Sequence, residues 1–298
     1  MTTACIMRDV LIALAPAAVA SVVLFGLSAL LIIAVCVAAS VLSEFLFNLI
    51  VKKEQTIGDL SAAVTGLLLA LSLPATAGIW HCIVGAVFAI IVVKCLFGGI
   101  GCNFANPAVT SRVLLIIAFS SSIGGKVATN FMDPELAAGA TPLEAIKNGA
   151  TDGLPSLIDM LLGNRMGAIG ETCIIALCLG GVYLILRGVI KWQLPVIYIG
   201  TVFVLSLIIK QDVTIALYEI LGGGVVLAAF FMITDYVTTP INTLGKMVFA
   251  FGAALLTVLI RFWGSYPEGV SFAILIMNIL SPYIEKLCSK RPLGKVGK

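Results

Sequence analysis

The sequence predicts an all-α polytopic membrane protein of about ten transmembrane helices, arranged as two inverted five-helix repeats with one long extracytoplasmic loop. Of the 298 residues, 60% are hydrophobic and only 11% are charged, whereas a soluble domain carries about 25% charged residues. Apolar segments follow one another along almost the whole chain. A net charge of +3 is too small for a nucleic-acid-binding surface. The composition therefore excludes a soluble enzyme, a disordered chain and a nucleic-acid-binding protein.

Ten apolar segments support the predicted number of helices. Several are shorter than the ~20 residues that a perpendicular transmembrane helix needs, so their boundaries are soft by a few residues. The segments are Val10–Phe25, Ala29–Val51, Gly58–Leu73, Ile79–Leu96, Pro107–Ile123, Gly167–Leu186, Leu194–Ile209, Val213–Ile233, Met247–Trp263 and Val270–Leu287.

The basic residues predict the orientation of these segments. If the N-terminus is cytoplasmic and the segments alternate in direction, thirteen of the 18 Lys and Arg residues fall on the cytoplasmic side and five on the outer side. This asymmetry follows the positive-inside rule. We expect a multi-pass protein of a prokaryotic cell membrane with both termini in the cytoplasm, residues 124–166 outside the cell, and its surface in contact with membrane lipid.

The chain divides into four predicted regions. Residues 1–123 form a first five-span repeat, residues 124–166 the extracytoplasmic loop, residues 167–288 a second five-span repeat and residues 289–298 a basic cytoplasmic tail. An odd number of spans in each unit gives the two repeats opposite orientations in the membrane.

Short motifs recur across the two halves. Asn103-Phe-Ala-Asn106-Pro107 and Asn278-Ile-Leu-Ser281-Pro282 both have the form N-x-x-[NS]-P near the fifth apolar segment of their half. Gly98-Gly99-Ile100-Gly101 and Gly222-Gly223-Gly224 suit broken or re-entrant segments at a binding site. The alternative is that the Asn-Pro and Ser-Pro pairs only kink ordinary helices.

The metal-ligating residue types are sparse. The chain contains one histidine, His81, and eight cysteines that form no C-x-x-C pair. A multi-histidine zinc site, a bis-histidine haem and an iron–sulfur cluster built from this chain alone are therefore not predicted. We expect no metal site.

The polar loop contains a local motif around Thr141. Thr141, Pro142 and Glu144 have the spacing of a capping box, with the threonine at the N-cap and the proline at the first helical position. The same N-terminus can neutralise an anion such as a phosphate esterified to the Thr141 oxygen. The small residues Gly139 and Ala140 leave room for a bulky group, so the structural and the functional interpretation are compatible.

The run Ala138-Gly139-Ala140-Thr141-Pro142 resembles the S-G-A-T-type signature of covalent flavinylation. Together with five further runs, it is similar to the RnfD family of Rnf complexes and to the related NqrB component of the sodium-pumping quinone reductase. Ala138 is a departure, because many members have serine there, while the acceptor Thr141 is kept. The further runs are Arg8–Pro16, Thr56–Asp59, Phe97–Gly99, Asn106–Ala108 and Thr234–Pro240.

The resemblance implies a membrane flavoprotein that relays electrons between ferredoxin and NAD⁺ and is coupled to Na⁺ or H⁺ translocation. It implies FMN bound to Thr141 through a phosphoester and flanked by Gly139, Ala140 and Pro142. A separate flavin transferase would attach it. A second, non-covalent flavin, riboflavin, is implied in the membrane part, with the other Rnf subunits as partners. A solute transporter with inverted repeats and a non-catalytic scaffold are the alternatives.

Five polar residues are possible contacts of the second flavin: Asn103, Asn106, Arg112, Asp235 and Thr238. Each also has a structural interpretation. The asparagines can satisfy a broken helix, Arg112 can belong to the inner positive belt, and Asp235 can cap turn amides. Glu44, Glu171 and Glu219 are candidate groups for the coupled ion because acids in or near spans are costly, though they also suit interfacial positions.

Overall fold

A computed structural model describes residues 2–123, 129, 141–149, 154–266 and 268–289. Every regular element in these ranges is a helix. Gly139 and Ala140, two residues of the expected flavin loop, lie outside the described residues, as does most of the basic tail.

Ten apolar helical units account for the ten predicted segments. Five single helices are long and apolar enough to cross a membrane, and one bent pair makes a sixth unit. Four apolar helices are shorter. The described part of the chain is therefore that of a multi-pass membrane protein, as predicted.

The helices are numbered in chain order. Three irregular helices accompany them: a 3₁₀ turn at Ile57–Asp59 and π-helices at Phe88–Cys95, which continues α4, and Ala228–Met232, which continues α12. The α-helices are α1 Thr3–Phe25, α2 Leu27–Val51, α3 Ser61–Ser72, α4 Ile79–Val87, α5 Pro107–Ala118, α6 Ser120–Ile123, α7 Pro142–Lys147, α8 Leu157–Leu162, α9 Ile174–Leu186, α10 Gln193–Lys210, α11 Val213–Leu221, α12 Val225–Leu227, α13 Thr243–Trp263 and α14 Val270–Cys288.

Helix α1 begins at Thr3, seven residues before the predicted apolar segment. The predicted segment began only at Val10, directly after Asp9. Asp9 is 1% exposed, but it accepts hydrogen bonds from Arg187 (3.1 Å) and from the Tyr183 hydroxyl (3.2 Å). This pairing neutralises the acid and ties α1 to α9, so the helix includes it.

The predicted break at Gly222–Gly224 is confirmed. Helix α11 and the helix that starts at Val225 are bent by 61°. Gly223 and Gly224 have φ angles of 58° and 72°, a left-handed conformation that favours glycine. The Gly98–Gly101 run lies in turns between the first π-helix and α5.

The segment 163–173 is a buried, irregular link before α9. The prediction of a helix from Gly167 is wrong here, because α9 begins only at Ile174. The backbone N–H groups of Ile169 and Gly170 instead donate to the carbonyls of Leu73 and Leu71 at 2.9 and 2.7 Å. These bonds hold the link against the end of α3.

The two N-x-x-[NS]-P motifs occupy different positions in their helices. Asn106 is the N-cap of α5 and Pro107 its first residue. Pro282, in contrast, lies inside α14. The two motifs therefore do not mark equivalent positions, and the inverted repeat remains a prediction.

Candidate functional site

A network of hydrogen bonds connects the start of α5 with the chain after the second π-helix. The Asn106 side-chain oxygen accepts from the backbone N–H groups of Ala108 (3.1 Å) and Val109 (3.3 Å), which caps α5. The Asn106 amide nitrogen donates to Asp235 Oδ2 at 3.4 Å, and its backbone N–H donates to Asn278 Oδ1 at 3.0 Å.

Asp235 is held from its own turn as well. Its carboxylate accepts from the backbone N–H of Val237 at 3.3 Å and from the Thr238 hydroxyl at 3.0 Å. The turn-capping interpretation of Asp235 is therefore confirmed. Because Asp235 also faces Asn106, three of the five candidate flavin contacts, Asn106, Asp235 and Thr238, lie together.

A cavity opens beside this network, between elements of both halves of the chain. Its empty space is about 770 Å³ when the part open to solvent is counted. Hydrophobic side chains form most of the wall, and α1, α3, α9 and the second π-helix each contribute to it. The polar and charged lining residues are Ser61, Thr65, Lys94, Asn103, Asn106, Thr234, Asp235 and Tyr236.

Asn103 contributes an unused acceptor to this cavity. Its Oδ1 atom is buried and has no hydrogen-bond partner among the described residues. A buried amide oxygen without a partner costs roughly 1–3 kcal/mol, so it favours a ligand that brings a donor. Thr238 does not line the cavity, but its hydroxyl donates to Asp235, which does.

Lys94 also lines the cavity. From the sequence alone it was counted only among the thirteen basic residues on the cytoplasmic side. It is the penultimate residue of the first π-helix, and its side chain is 2% exposed. Its Nζ atom donates to Glu44 Oε1 at 2.8 Å and to Ser61 Oγ at 2.6 Å. A lysine inside an apolar segment is itself a signal of function, and that signal could have identified it.

Arg112 lies away from the cavity. Its guanidinium forms an ion pair with Glu268, which immediately precedes α14. The structure therefore does not bring Arg112 to Asn103, Asn106 and Asp235. Arg261 Nε donates to the Glu268 carbonyl at 3.0 Å, so the ion pair directs the Arg112 side chain toward the opposite end of the bundle, where Arg261 lies.

Arg112 belongs to a group of charges at that opposite end, in which Arg165, Glu171, Glu219 and Arg261 are also buried and Glu268 is partly exposed. Arg261 Nη1 donates to Glu219 Oε2 at 2.8 Å, and Arg165 Nη2 donates to the Glu171 carbonyl at 2.6 Å. Burial lowers the pKa of Arg165 to about 10, so this guanidinium keeps its charge at neutral pH.

The helix that follows Thr141 packs beside the glycine break whose carbonyls accept hydrogen bonds from Arg261. Thr141 is the N-cap of α7, and its Oγ1 atom accepts from the Glu144 backbone N–H at 3.3 Å. The capping interpretation is therefore confirmed, with Pro142 at the first helical position. Leu143 packs against the break at Gly222–Gly223, and Lys147 Nζ donates to the Gly264 carbonyl.

Thr141 and the cavity belong to opposite ends of the helix bundle. Helix α1 runs between them: Ile6 lines the cavity, whereas the Ser21 hydroxyl donates to the Ile169 carbonyl at 2.9 Å. The fifteen intervening helical steps span ~22 Å at 1.5 Å per residue. The link 163–173 contacts Gly224 through Glu171, next to the glycines that support α7.

Comparison with known proteins gives consistent similarities along the chain. The sequence profile described as the NQR2, RnfD, RnfE family matches residues 1–294. A protein of Acetobacterium woodii is named as the subunit, designated D, of a Na⁺-translocating ferredoxin:NAD⁺ oxidoreductase complex. It is 42% identical over 98% of this chain and 91% of its own length.

Two further relatives have related names with the same subunit letter. The protein of Clostridium ljungdahlii, named for a proton-translocating ferredoxin:NAD⁺ oxidoreductase complex, is 38% identical over 97% of this chain and 91% of its own. The protein of Halorhodospira halophila, named for an ion-translocating oxidoreductase complex, is 35% identical, again over 97% and 91%.

Proposed function

Because this chain belongs to the NQR2, RnfD, RnfE family, we propose that it is the RnfD component of an ion-translocating ferredoxin:NAD⁺ oxidoreductase complex. Its partners are then the other subunits of that complex. Full-length similarity to relatives named for such complexes is the observation on which the proposal depends. The coupled ion is Na⁺ in the name of one relative and a proton in that of another, so the proposal covers both.

We further propose that Thr141 carries FMN through a phosphoester, attached by a flavin transferase. Thr141 is partly exposed at the start of α7, so its hydroxyl can be reached by an enzyme. The hydrogen bond that its Oγ1 atom accepts from the Glu144 N–H is long, at 3.3 Å, and an ester oxygen keeps lone pairs for that bond. Leu143 and Lys147 would hold α7, the helix that Thr141 caps, against the charged end of the bundle.

The cavity at the other end is the proposed site of the second flavin, riboflavin. Flavins supply one- and two-electron chemistry when bound, while the protein supplies position and hydrogen bonds. The unpartnered Asn103 Oδ1 offers an acceptor for an imide N–H, and Lys94 and Asn106 offer polar groups on the facing wall. Hydrophobic side chains would exclude water from the ring.

The two sites would place cofactors at opposite membrane faces. If the N-terminus of α1 is cytoplasmic, the cavity lies near the cytoplasmic face and Thr141 near the outer face. This arrangement suits electron transfer across the membrane. Glu44 and Glu219 are both held in buried ion pairs, with Lys94 and Arg261 respectively. For either carboxylate to bind a coupled ion, its ion pair would have to break.

Flavin fluorescence tests this function directly. The full chain, expressed with its flavin transferase and denatured, should give a fluorescent band in a gel, and Thr141→Ala should lose it. Ser156→Ala is the matched control, because Ser156 also caps a six-residue helix through an accepted N–H bond. A dark wild-type band would contradict covalent flavinylation.

A vesicle assay distinguishes the alternatives. A solute transporter would move its solute in vesicles without a redox partner, whereas the proposed redox component would move Na⁺ or H⁺ only in the assembled complex during electron transfer. A scaffold would tolerate Thr141→Ala, with electron transfer in the assembled complex unchanged.

A further inference from the structure

We propose that Lys94 couples the charge of the ligand in the cavity to the buried carboxylate of Glu44. The inference rests on the proposed function, because it takes the ligand to be a non-covalent flavin. Lys94 is then a contact that favours the reduced, more negative form of this ligand, and Glu44 sets how much of the lysine charge the ligand experiences.

The position of Lys94 between the cavity and Glu44 is the first support. Lys94 and Ser61 both line the cavity, and Ser61 Oγ accepts from Lys94 Nζ at 2.6 Å. An ammonium group has three N–H donors, and Glu44 and Ser61 use two of them. The third meets no acceptor within the described part of the chain, so a cavity ligand can receive it.

The second support is that Glu44 is only half satisfied. Its Oε1 atom accepts from Lys94 Nζ at 2.8 Å and from the Thr56 hydroxyl at 2.7 Å. Its Oε2 atom is buried and has no partner among the residues described. A buried ion pair with an unsatisfied carboxylate oxygen is costly to maintain, which is unexpected if the pair only joins α2 to the π-helix.

The local backbone is the third support. Lys94 lies in the π-helix Phe88–Cys95 rather than in a regular α-helix. Such π segments often occur at functional sites, because the wider turn displaces side chains from their usual direction. Here the widened turn brings a lysine from an otherwise apolar span to the cavity.

Electrostatics then predicts opposite effects for the two partners. Lys94 and Glu44 are each 2% exposed, so water screens the interaction of Lys94 with a neighbouring charge only weakly. Lys94 stabilises a ligand that gains an electron, and Glu44 opposes this by compensating the lysine. Removal of the positive charge should make the ligand harder to reduce, and removal of the negative charge should make it easier.

A redox titration of the non-covalent flavin tests the proposal. The full chain with Thr141→Ala, which leaves only the non-covalent flavin, is loaded with riboflavin and titrated with dithionite and mediators. Lys94→Met should lower the reduced-to-oxidised ratio at least tenfold, equivalent to 59 mV for one electron. Glu44→Gln should raise this ratio.

Two controls separate a charge effect from a loss of structure. Lys94→Arg keeps the positive charge, so its reduced-to-oxidised ratio should stay close to that of the parent protein. Lys53→Met removes an exposed lysine and should change the ratio little because of solvent screening. If Lys94→Met does not fold, Glu44→Gln still tests the proposal, because an unchanged or lowered ratio in that variant would contradict it.

The outcomes also separate this inference from the proposed function. Suppose that riboflavin binds but Lys94→Met and Glu44→Gln shift the reduced-to-oxidised ratio equally or in the same direction. This result would overturn the proposed role of Lys94 and leave the cavity assignment intact. Failure of the chain to bind riboflavin would overturn both the cavity assignment and this inference. Opposite shifts with an unchanged Lys53→Met variant would support it.

Discussion

The backbone N–H of Asn106 donates a 3.0 Å hydrogen bond to the side-chain oxygen of Asn278, 172 residues further along the chain. Asn278 in turn donates to the Thr238 carbonyl at 3.4 Å. One buried amide therefore connects the start of α5, the middle of α14 and the turn that holds Asp235. This connection fixes the polar wall of the cavity against movement of any one of the three elements.

The unpartnered oxygen of Asn103 leads to the first prediction. Asn103→Ala should weaken riboflavin binding roughly three- to tenfold, the loss of one hydrogen bond worth about 1 kcal/mol. Flavin retained by the purified full chain, measured by its fluorescence after release, checks this. Arg112→Gln is the control, because Arg112 does not line the cavity, and equal losses in both variants would contradict the assignment.

The ion pair of Arg261 and Glu219 leads to a prediction about stability. Either Arg261→Met or Glu219→Gln leaves a buried partner without its counter-charge and should destabilise the protein by about 3–5 kcal/mol. The double variant should lose less than the sum of the single losses. Thermal unfolding in detergent measures the stability of the parent, both single variants and the double variant. Additive losses would show that the two side chains are not energetically coupled.

A glycine in α9 determines how closely α1 approaches. A Cβ atom at Gly180 would lie 2.0 Å from the Ala13 carbonyl oxygen, whereas Gly200 in α10 has open space around it. Gly180→Ala should therefore lower the midpoint of thermal unfolding, because backbone atoms must separate. Gly200→Ala, the matched control in another apolar helix, should leave the midpoint unchanged or raise it. Equal midpoints would argue against this close contact.

The sequence predicted the helical units well because apolar length alone decides whether a segment can cross a membrane. The Thr141 cap and the break at Gly222–Gly224 were also predictable, since both depend on local backbone chemistry. Helix α1 was cut short because the partner that neutralises Asp9 lies 178 residues away. Pairing over such a distance leaves no mark in local composition.

The site was only partly predictable for the same reason. Asn103, Asn106 and Asp235 were identified because polar residues beside broken spans are costly, and the structure brings them together. Arg112 was grouped with them on residue type, but its partner Glu268 draws it to the other end. Lys94 was counted as a topology signal, and only the fold shows that it is buried against Glu44.

The central claim is that Thr141 carries the covalent flavin, and the mass of one tryptic peptide tests it most directly. Cleavage after Lys126 and Lys147 releases a peptide whose hydroxyl residues are Thr129 and Thr141 alone. Thr129 is 4% exposed, whereas Thr141 is partly exposed. In protein expressed with its flavin transferase, we expect the added mass of FMN, and fragmentation should place it on Thr141. An unmodified peptide, or FMN on Thr129, would contradict the account.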